Sequence, residues 1–408
     1  MADLSSSDRG NTDERIVHSL RVGGLFAGIG GFEKGLALSG HKTIFLCEID
    51  VAARAVLNVR FQGARVHEDV RTLQELPSDV DLITAGFPCQ DLSQVGQANG
   101  IRGKKSSVVS HVFRLLRSQP CPWVLLENVP FMLQLHEGRA IKVITERLER
   151  LGYRWAYRTI DSRSFGIPQR RERVFLLASL KDDPAAILFD RNIEPLVPEY
   201  QTGIACGFYW TEGNRGLGWA VNAIPTLKGG SGLGIPSPPA IWMSDGSIVT
   251  PQLGDAERLQ GFEAGWTEPA SEFAKKGHRW KLVGNAVTIP VARWIGARLA
   301  VEPEPVHITK RPMEKHDRWP KAAFGSPEGR FIVSASTWPI LTQPRSLEKF
   351  LEFDPVPLSQ KATAGFLARL EASTLKCPTE FKSALRRHAR KMRRKTIAAG
   401  NSRAQTRH

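Results

Sequence analysis

One cysteine and one glutamate, each at the end of an apolar run, are the residues here best suited to covalent and acid–base chemistry. Cys89 stands in Ala85-Gly-Phe-Pro-Cys-Gln-Asp-Leu-Ser93. The run Asp81-Leu-Ile-Thr-Ala85 reads as a short buried strand. Gly86 and Pro88 stop it, and a polar, glycine-bearing loop from Gln90 to Lys105 follows. A thiol at the carboxyl end of a parallel strand sits where open α/β sheets keep their chemistry. Most free cysteines are small buried hydrophobes, so Cys89 gains its weight from its companions. Glu127 ends the apolar run in Pro122-Trp-Val-Leu-Leu-Glu-Asn-Val129. Burying a carboxylate there is costly unless it is paired or protonated. A raised pKa suits a proton donor near neutrality. Phe165-Gly-Ile-Pro-Gln-Arg-Arg-Glu-Arg173 then sets Arg171 and Arg173 on the lip of the strand Val174–Ala178. Such a cluster needs an anion: a phosphate, a base carbonyl oxygen or Glu127 itself.

The elements ahead of Cys89 read as half of a nucleoside-binding α/β unit. Arg21–Phe26 is a strand, Ala27-Gly-Ile-Gly-Gly31 a turn, and Phe32–Ser39 a helix closed by Gly40. Lys42–Glu48 is a second strand with an acidic end, about 20 positions past the glycines, where ribose hydroxyls are held. A dinucleotide fingerprint needs a third glycine, but Glu33 occupies that position. A carboxylate suits no pyrophosphate, whereas a phosphate-free nucleoside such as S-adenosylmethionine tolerates it. Asp69 ends a third strand, as an acceptor for an adenine amino group or as a plain loop acid.

Further along, Ser106 or Ser107 is placed to cap a helix with Val109, Val112, Phe113 and Leu116 on one face. Arg139–Leu151 is amphipathic, and Tyr153–Asp161 is a strand. Residues 180–250 change texture: rich in Gly, Pro and Trp, they predict short β segments in a small separate domain, with Lys228-Gly-Gly-Ser-Gly232 as a basic turn. Residues 251–300 return to the first domain, with Pro290 in the first turn of a helix. Residues 301–408 read as a basic extension set apart by proline and charge, with helices over Ala362–Leu375 and Glu380–Lys395 and a disordered tail.

The net charge of +15 and pI near 9.8 imply a polyanionic partner, most simply nucleic acid. The length of 408 residues fits two or three domains. The five cysteines are widely spaced, with no zinc pattern, which implies a reducing compartment and no structural metal. Residues 1–18 read as a polar, disordered leader, and no apolar run reaches membrane-spanning length.

Taken together, these residues resemble the bacterial-type cytosine-5 DNA methyltransferases. The family's motifs stand in its order as Phe26-Ala-Gly-Ile-Gly-Gly31, Asp69-Val70, Gly86-Phe-Pro-Cys-Gln90, Glu127-Asn-Val129, Gln169-Arg-Arg-Glu-Arg173, Arg258-Leu-Gln-Gly-Phe262 and Gly284-Asn-Ala-Val287, covering about residues 20–300. There are departures. Gly24 stands where the family often has an acid, and Ile49 where it often has a larger side chain against adenine. The run before Arg258 is unusual, and residues 180–250 are short for a recognition domain.

The resemblance implies a Rossmann-like S-adenosylmethionine-dependent sheet with a small, loop-rich target recognition domain and a basic C-terminal extension. It implies a Cys89 thiolate adding to cytosine C6, with Glu127 at N3 and Arg173, or secondly Arg171, at O2. It places S-adenosylmethionine among Phe26, Gly28, Gly30, Glu48, Ile49, Asp69, Val70, Pro88, Asn285 and Val287. It sets Gln90, Ser93, Arg102, Lys104, Lys105 and Lys228 against DNA. The implied partner is duplex DNA, reached by flipping out the base. The implied setting is a restriction-modification system with a cognate nuclease that makes no direct contact, in a monomeric, nucleoid-associated protein of the bacterial cytoplasm. Two alternatives are a tRNA cytosine-5 methyltransferase on the same scaffold and a catalytically inactive DNA-binding protein.

Overall fold

The computed structural model describes residues 18–87, 108–214, 216–229, 238–303, 306–343 and 345–405. The leader, the stretch 88–107 with Cys89, and the last three residues lie outside the described residues.

Apolar runs alternating with amphipathic segments build the first half. β1 (Arg21–Leu25), α1 (Gly31–Ala37), β2 (Lys42–Cys47), α2 (Val51–Arg60) and β3 (Arg65–His67) are followed by β4 (Leu82–Gly86), α3 (Val109–Ser118) and β5 (Trp123–Asn128). Then come α4 (Arg139–Arg150), β6 (Arg154–Asp161), β7 (Gln169–Arg170), β8 (Glu172–Ser179) and α5 (Pro184–Leu188). Strands β3-β2-β1-β4-β5 run parallel, and β8 lies antiparallel between β5 and β6. The strand order reverses between β1 and β4, which opens a crevice at their carboxyl ends, the usual place for a ligand. Every residue of β5 is buried, as expected for a strand covered on both faces. One layer is α3 and α4, through Val109, Val112, Leu116, Ile141, Ile144 and Leu148. The N-cap of α3 is Val108, which offers no side-chain cap; the serines expected to cap it lie outside the described residues. Gly40 closes α1 at φ +87°, with its N–H on Ala37 O and the His41 N–H on Leu36 O, a Schellman end.

The second half builds a five-stranded sheet and then returns. β9 (Cys206–Phe208), β10 (Ala220–Val221), β11 (Ile224–Pro225), β12 (Ala240–Trp242) and β13 (Ile248–Thr250) precede α6 (Leu253–Arg258), α7 (Lys276–Asn285) and α8 (Ile289–Leu299). α8, with Pro290 in its first turn, packs with α1 and α5 on the other face of the large sheet. β11 stands outside the five-stranded sheet; it pairs parallel with β7 and so ties the segment after β10 to the arginine segment.

Residues 301–408 do not hang from this core as the expected extension would. β14 (Lys310–Pro312), β15 (Ala322–Ser326) and β16 (Gly329–Val333) join the large sheet, β15 pairing antiparallel with β6. After α9 (Leu347–Phe350), β17 (Val356–Pro357) becomes the fifth strand of the small sheet, in the order β10-β9-β12-β13-β17. α10 (Gln360–Glu371) and α11 (Thr379–Gln405) pack on that sheet. The physical reason is a few apolar residues hidden in a charged stretch: Ala323, Phe366 and Phe381 are fully buried. Phe381 sits 4.9 Å from Phe208 and 5.0 Å from Trp219, ring centre to ring centre. Phe381→Ala is expected to cost about 3–5 kcal/mol, read by denaturant unfolding. A loss within 0.5 kcal/mol of zero, on the order of a surface change, would show that this helix is an appendage after all.

Candidate active site

Glu127 and Gly86 stand opposite each other in the β4–β5 ladder. Glu127 Oε2 lies 3.6 Å from where a side chain on Gly86 would begin. The chain to Cys89 therefore leaves the sheet beside this carboxyl group. Glu127 is 8 % exposed. Phe87, Met132, Ile144, Val174 and Leu176 line a cavity of about 10 Å³ at its flank, room for one water at most. Arg173 Nε sits 3.0 Å from Oε1 as an ion pair. Burial holds the Glu127 pKa above the usual carboxylate range, while Arg173 and Arg171 pull against it. The arrangement suits a carboxyl group that donates a proton.

Arg171 does different work. Its guanidinium is fully buried and donates to Leu227 O at 3.2 Å, Gly284 O at 3.1 Å and Ala286 O at 2.7 Å. Those carbonyls belong to the small-sheet segment and to the end of α7, so Arg171 positions and Arg173 faces the carboxyl group. Gln169 reinforces the junction: its amide donates to Leu259 O at 2.7 Å and accepts from Leu227 N–H at 2.8 Å. Gly284 lets the chains meet, since a Cβ there would fall 2.4 Å from the Lys228 carbonyl carbon.

The glycine turn forms the second half of the site. The Gly28 N–H donates to Glu48 Oε2 at 2.8 Å, and the Asp50 N–H donates to Oε1 at 2.8 Å. Each oxygen keeps a lone pair for a ribose hydroxyl. Burial raises the Glu48 pKa against those backbone bonds. Gly28 has φ +57° and open space on its Cβ side, which allows a ligand to approach the backbone. Phe26 carries φ +54°, strain of the kind that persists at ligand clamps. Ile49 is 60 % exposed, an apolar surface free to cover a flat base. Glu33 is buried, its Oε1 accepting from Thr84 Oγ1 at 2.9 Å, in space that a side chain on Gly24 would invade. Asp69 is gripped by Arg71 at 2.5 Å, so an adenine amino group would share it. Val287 lies against Gly31 and Gly86, and Asn285 ends α7 beside Gly229. This cradle fits a nucleoside without phosphates.

Among the expected DNA contacts, Lys228 is described: its ammonium is 2.5 Å from Glu212 Oε1 and 3.6 Å from the Tyr209 ring centre. Pro88, Cys89, Gln90, Ser93, Arg102, Lys104 and Lys105 lie outside the described residues. Among the described residues no cluster of His, Cys, Asp or Glu could hold a metal. Two positioning roles escaped the sequence reading. The Asn128 amide donates to Phe87 O at 3.0 Å, pinning the chain two residues before Cys89. Trp266 Nε1 donates to Ile29 O at 2.8 Å, bracing the glycine turn from outside. Position beside Glu127 hinted at the first; nothing local signalled the second.

The model of C-5 cytosine-specific DNA methylases matches residues 20–205. Type II methyltransferase M2.BsuMI of Bacillus subtilis is 44% identical over 370 residues, 87% of this chain and 94% of the relative. The chain belongs to the C-5 cytosine-specific DNA methylase family. The methylase is also 34% identical to Type II methyltransferase M.MspI of Moraxella, over 39% of this chain and 38% of that one. The crystal structure of S. pombe Dnmt2 methyltransferase shares the fold at 19% identity and a TM-score of 0.52, covering 69% of the methylase and 98% of that chain.

Two outcomes test this geometry. Asn128→Ala is expected to lower kcat on the order of 10²-fold through misplacement of the Phe87 carbonyl, with KM for the methyl donor little changed. Equal loss in both would show a general collapse instead. Burial lifts Glu33 from 4.5 to about 7. The folded chain then holds a proton that the unfolded chain has lost, so stability falls as pH rises from 4.5 towards 7. Glu33→Gln is expected to remove that decline, on the order of 3 kcal/mol, in unfolding curves across this window. A persistent decline would show that Glu33 is not its source.

Proposed function

We propose that this DNA cytosine-5 methyltransferase acts on a flipped-out cytosine in a specific duplex sequence, with S-adenosylmethionine as methyl donor and Cys89 as nucleophile. The observation that carries the reading is the buried Glu127 carboxyl group, paired with Arg173 and set beside the strand that leads to Cys89. Cytosine C5 is a poor nucleophile. A thiolate adding to C6 turns it enamine-like, which calls for cysteine rather than serine. Addition pushes electrons towards N3, where protonated Glu127 gives up its proton. Arg173 holds the O2 edge and disperses the charge left on Glu127.

The donor, when bound, supplies an electrophilic methyl group. Glu48 suits its ribose, Ile49 and Phe26 its base, and the turn at Gly28 its close approach. After transfer the C5 proton leaves to a base, and the Cys89 sulfur departs. Arg171, Gln169 and Asn128 touch none of the reacting atoms; they fix the groups that do.

The Type II names of the relatives support a place in a restriction-modification system, with a nuclease that reads the same sequence without touching the methylase. The four described cysteines are free thiols, which supports a reducing, bacterial cytoplasmic setting. Residues 180–250 are proposed to read base edges in the major groove; Lys228 is proposed to meet phosphate once released from Glu212.

Bisulfite sequencing of a plasmid from a methylation-free host expressing the chain tests the reading. One short motif is expected to be protected, and Cys89→Ala is expected to abolish protection while duplex binding persists. Protection that survives Cys89→Ala, or methyl transfer to tRNA alone, would overturn it. The raised Glu127 pKa adds a sign: kcat is expected to fall as pH rises through that value. Glu127→Gln is expected to flatten this limb and lower the plateau on the order of 10²–10⁴-fold.

A further inference from the structure

Eleven of the chain's 56 lysines and arginines lie in residues 376–408, with one acidic residue, Glu380. α11 sorts them. Phe381, Ala384, Leu385 and His388 are buried, at the spacing of one helix face. They clamp the helix to the small sheet: Phe381 packs on Phe208, Trp219 and Trp242, and His388 Nε2 lies 2.9 Å from Leu358 O. Arg387, Arg390 and Arg394 stand on the side turned away from that clamp, with Lys391 at its border and Lys395 beyond the buried row, all exposed. They line an open groove of about 420 Å³.

Solvated helix faces usually mix charge signs, because like charges at i,i+4 destabilise a helix. Here no acidic residue occurs between Phe381 and Gln405. Arg386, beside the stripe, pairs with Glu371 at 2.7 Å, and Lys391 interacts with Asp245 in the β12–β13 turn. Among the described residues no carboxylate comes within ion-pair distance of Arg387, Arg390 or Arg394. From Arg387 to Arg394 the stripe rises about 10 Å, matching several phosphates along one duplex strand. The helix is bolted to the sheet that β11, Arg171 and Gly284 dock beside Glu127. Its charges are therefore held at a fixed place relative to the reacting base.

We propose that the Arg387–Lys395 face of α11 is a second DNA contact, a phosphate-binding ladder that grips duplex flanking the target on the side of the small sheet. This rests on the duplex DNA reading above. It adds affinity and footprint and no base readout, since phosphate contacts carry no sequence information.

The test compares the full chain with the variant Arg387→Gln, Arg390→Gln, Lys391→Gln and Arg394→Gln. The substitutions sit on the exposed face, and unfolding curves confirm equal stability. Binding is measured by fluorescence anisotropy against salt, on duplexes of about 40 and about 14 base pairs centred on the protected motif. On the long duplex the log–log salt slope is expected to become shallower by about 3–4. On the short duplex slope and methyl-transfer rate are expected to stay unchanged. An unchanged slope on the long duplex overturns the proposal and leaves a solvated face. An equal loss on the short duplex also overturns it, by placing the charges at the target. If wild type methylates neither duplex, the methylation reading fails on its own, and the slopes on a long duplex of arbitrary sequence still decide the ladder.

Discussion

The arrangement of this methylase depends on where one buried cation spends its hydrogen bonds. Arg171 donates to carbonyls from the small-sheet segment, from the end of α7 and from the turn into α8. Two of the three are carbonyls at a helix C-terminus, which prefers a positive partner. Burial costs the guanidinium its hydration and pushes its pKa well down, a cost offset only while all three acceptors stay in place. With Gln169 and the β7–β11 pairing, the clamp joins the arginine segment to the small-sheet segment and to the end of α7.

That clamp explains a division of labour between neighbouring residues. Arg171 and Arg173 are two apart in sequence and opposite in use. One faces backbone and fixes geometry. The other faces Glu127 and shares in the electrostatics of proton transfer. Side chains two apart on an unbroken strand share a face; Arg171 falls in the break between β7 and β8, which frees it to turn away from Arg173. Glu127 gains from both, because a carboxyl group in an apolar recess holds its proton, yet a cation must stand ready when the proton leaves.

Much of this was legible in the sequence where the signal is local. The strand before Cys89, the acidic end of β2 at Glu48 and the glycine turn are set by residues within a few positions of one another. Glu127 was found because a carboxylate closing the run Trp123–Leu126 violates ordinary burial. What escaped was long-range. Trp266 reaches the glycine turn from 237 positions away, and no periodicity announces that. The strands at 310–333 and 356–357 were hidden by prolines and charges, since Lys310, Arg311 and Arg330 disguise strands as linker. The role of Arg171 was unreadable because its partners are backbone carbonyls, which any sequence supplies.

The late strands also set an order of events. β6 lies bare on one edge until β15 covers it, and β13 is bare until β17 pairs with it. During synthesis, residues 154–161 and 248–250 leave the ribosome long before residues 322–326 and 356–357 follow. In that interval two unpaired edges are offered to any other strand, the ordinary route to aggregation and domain exchange. Both late strands precede the basic run 382–395 in the chain. The emerging methylase can therefore close both sheets before its most highly charged segment appears.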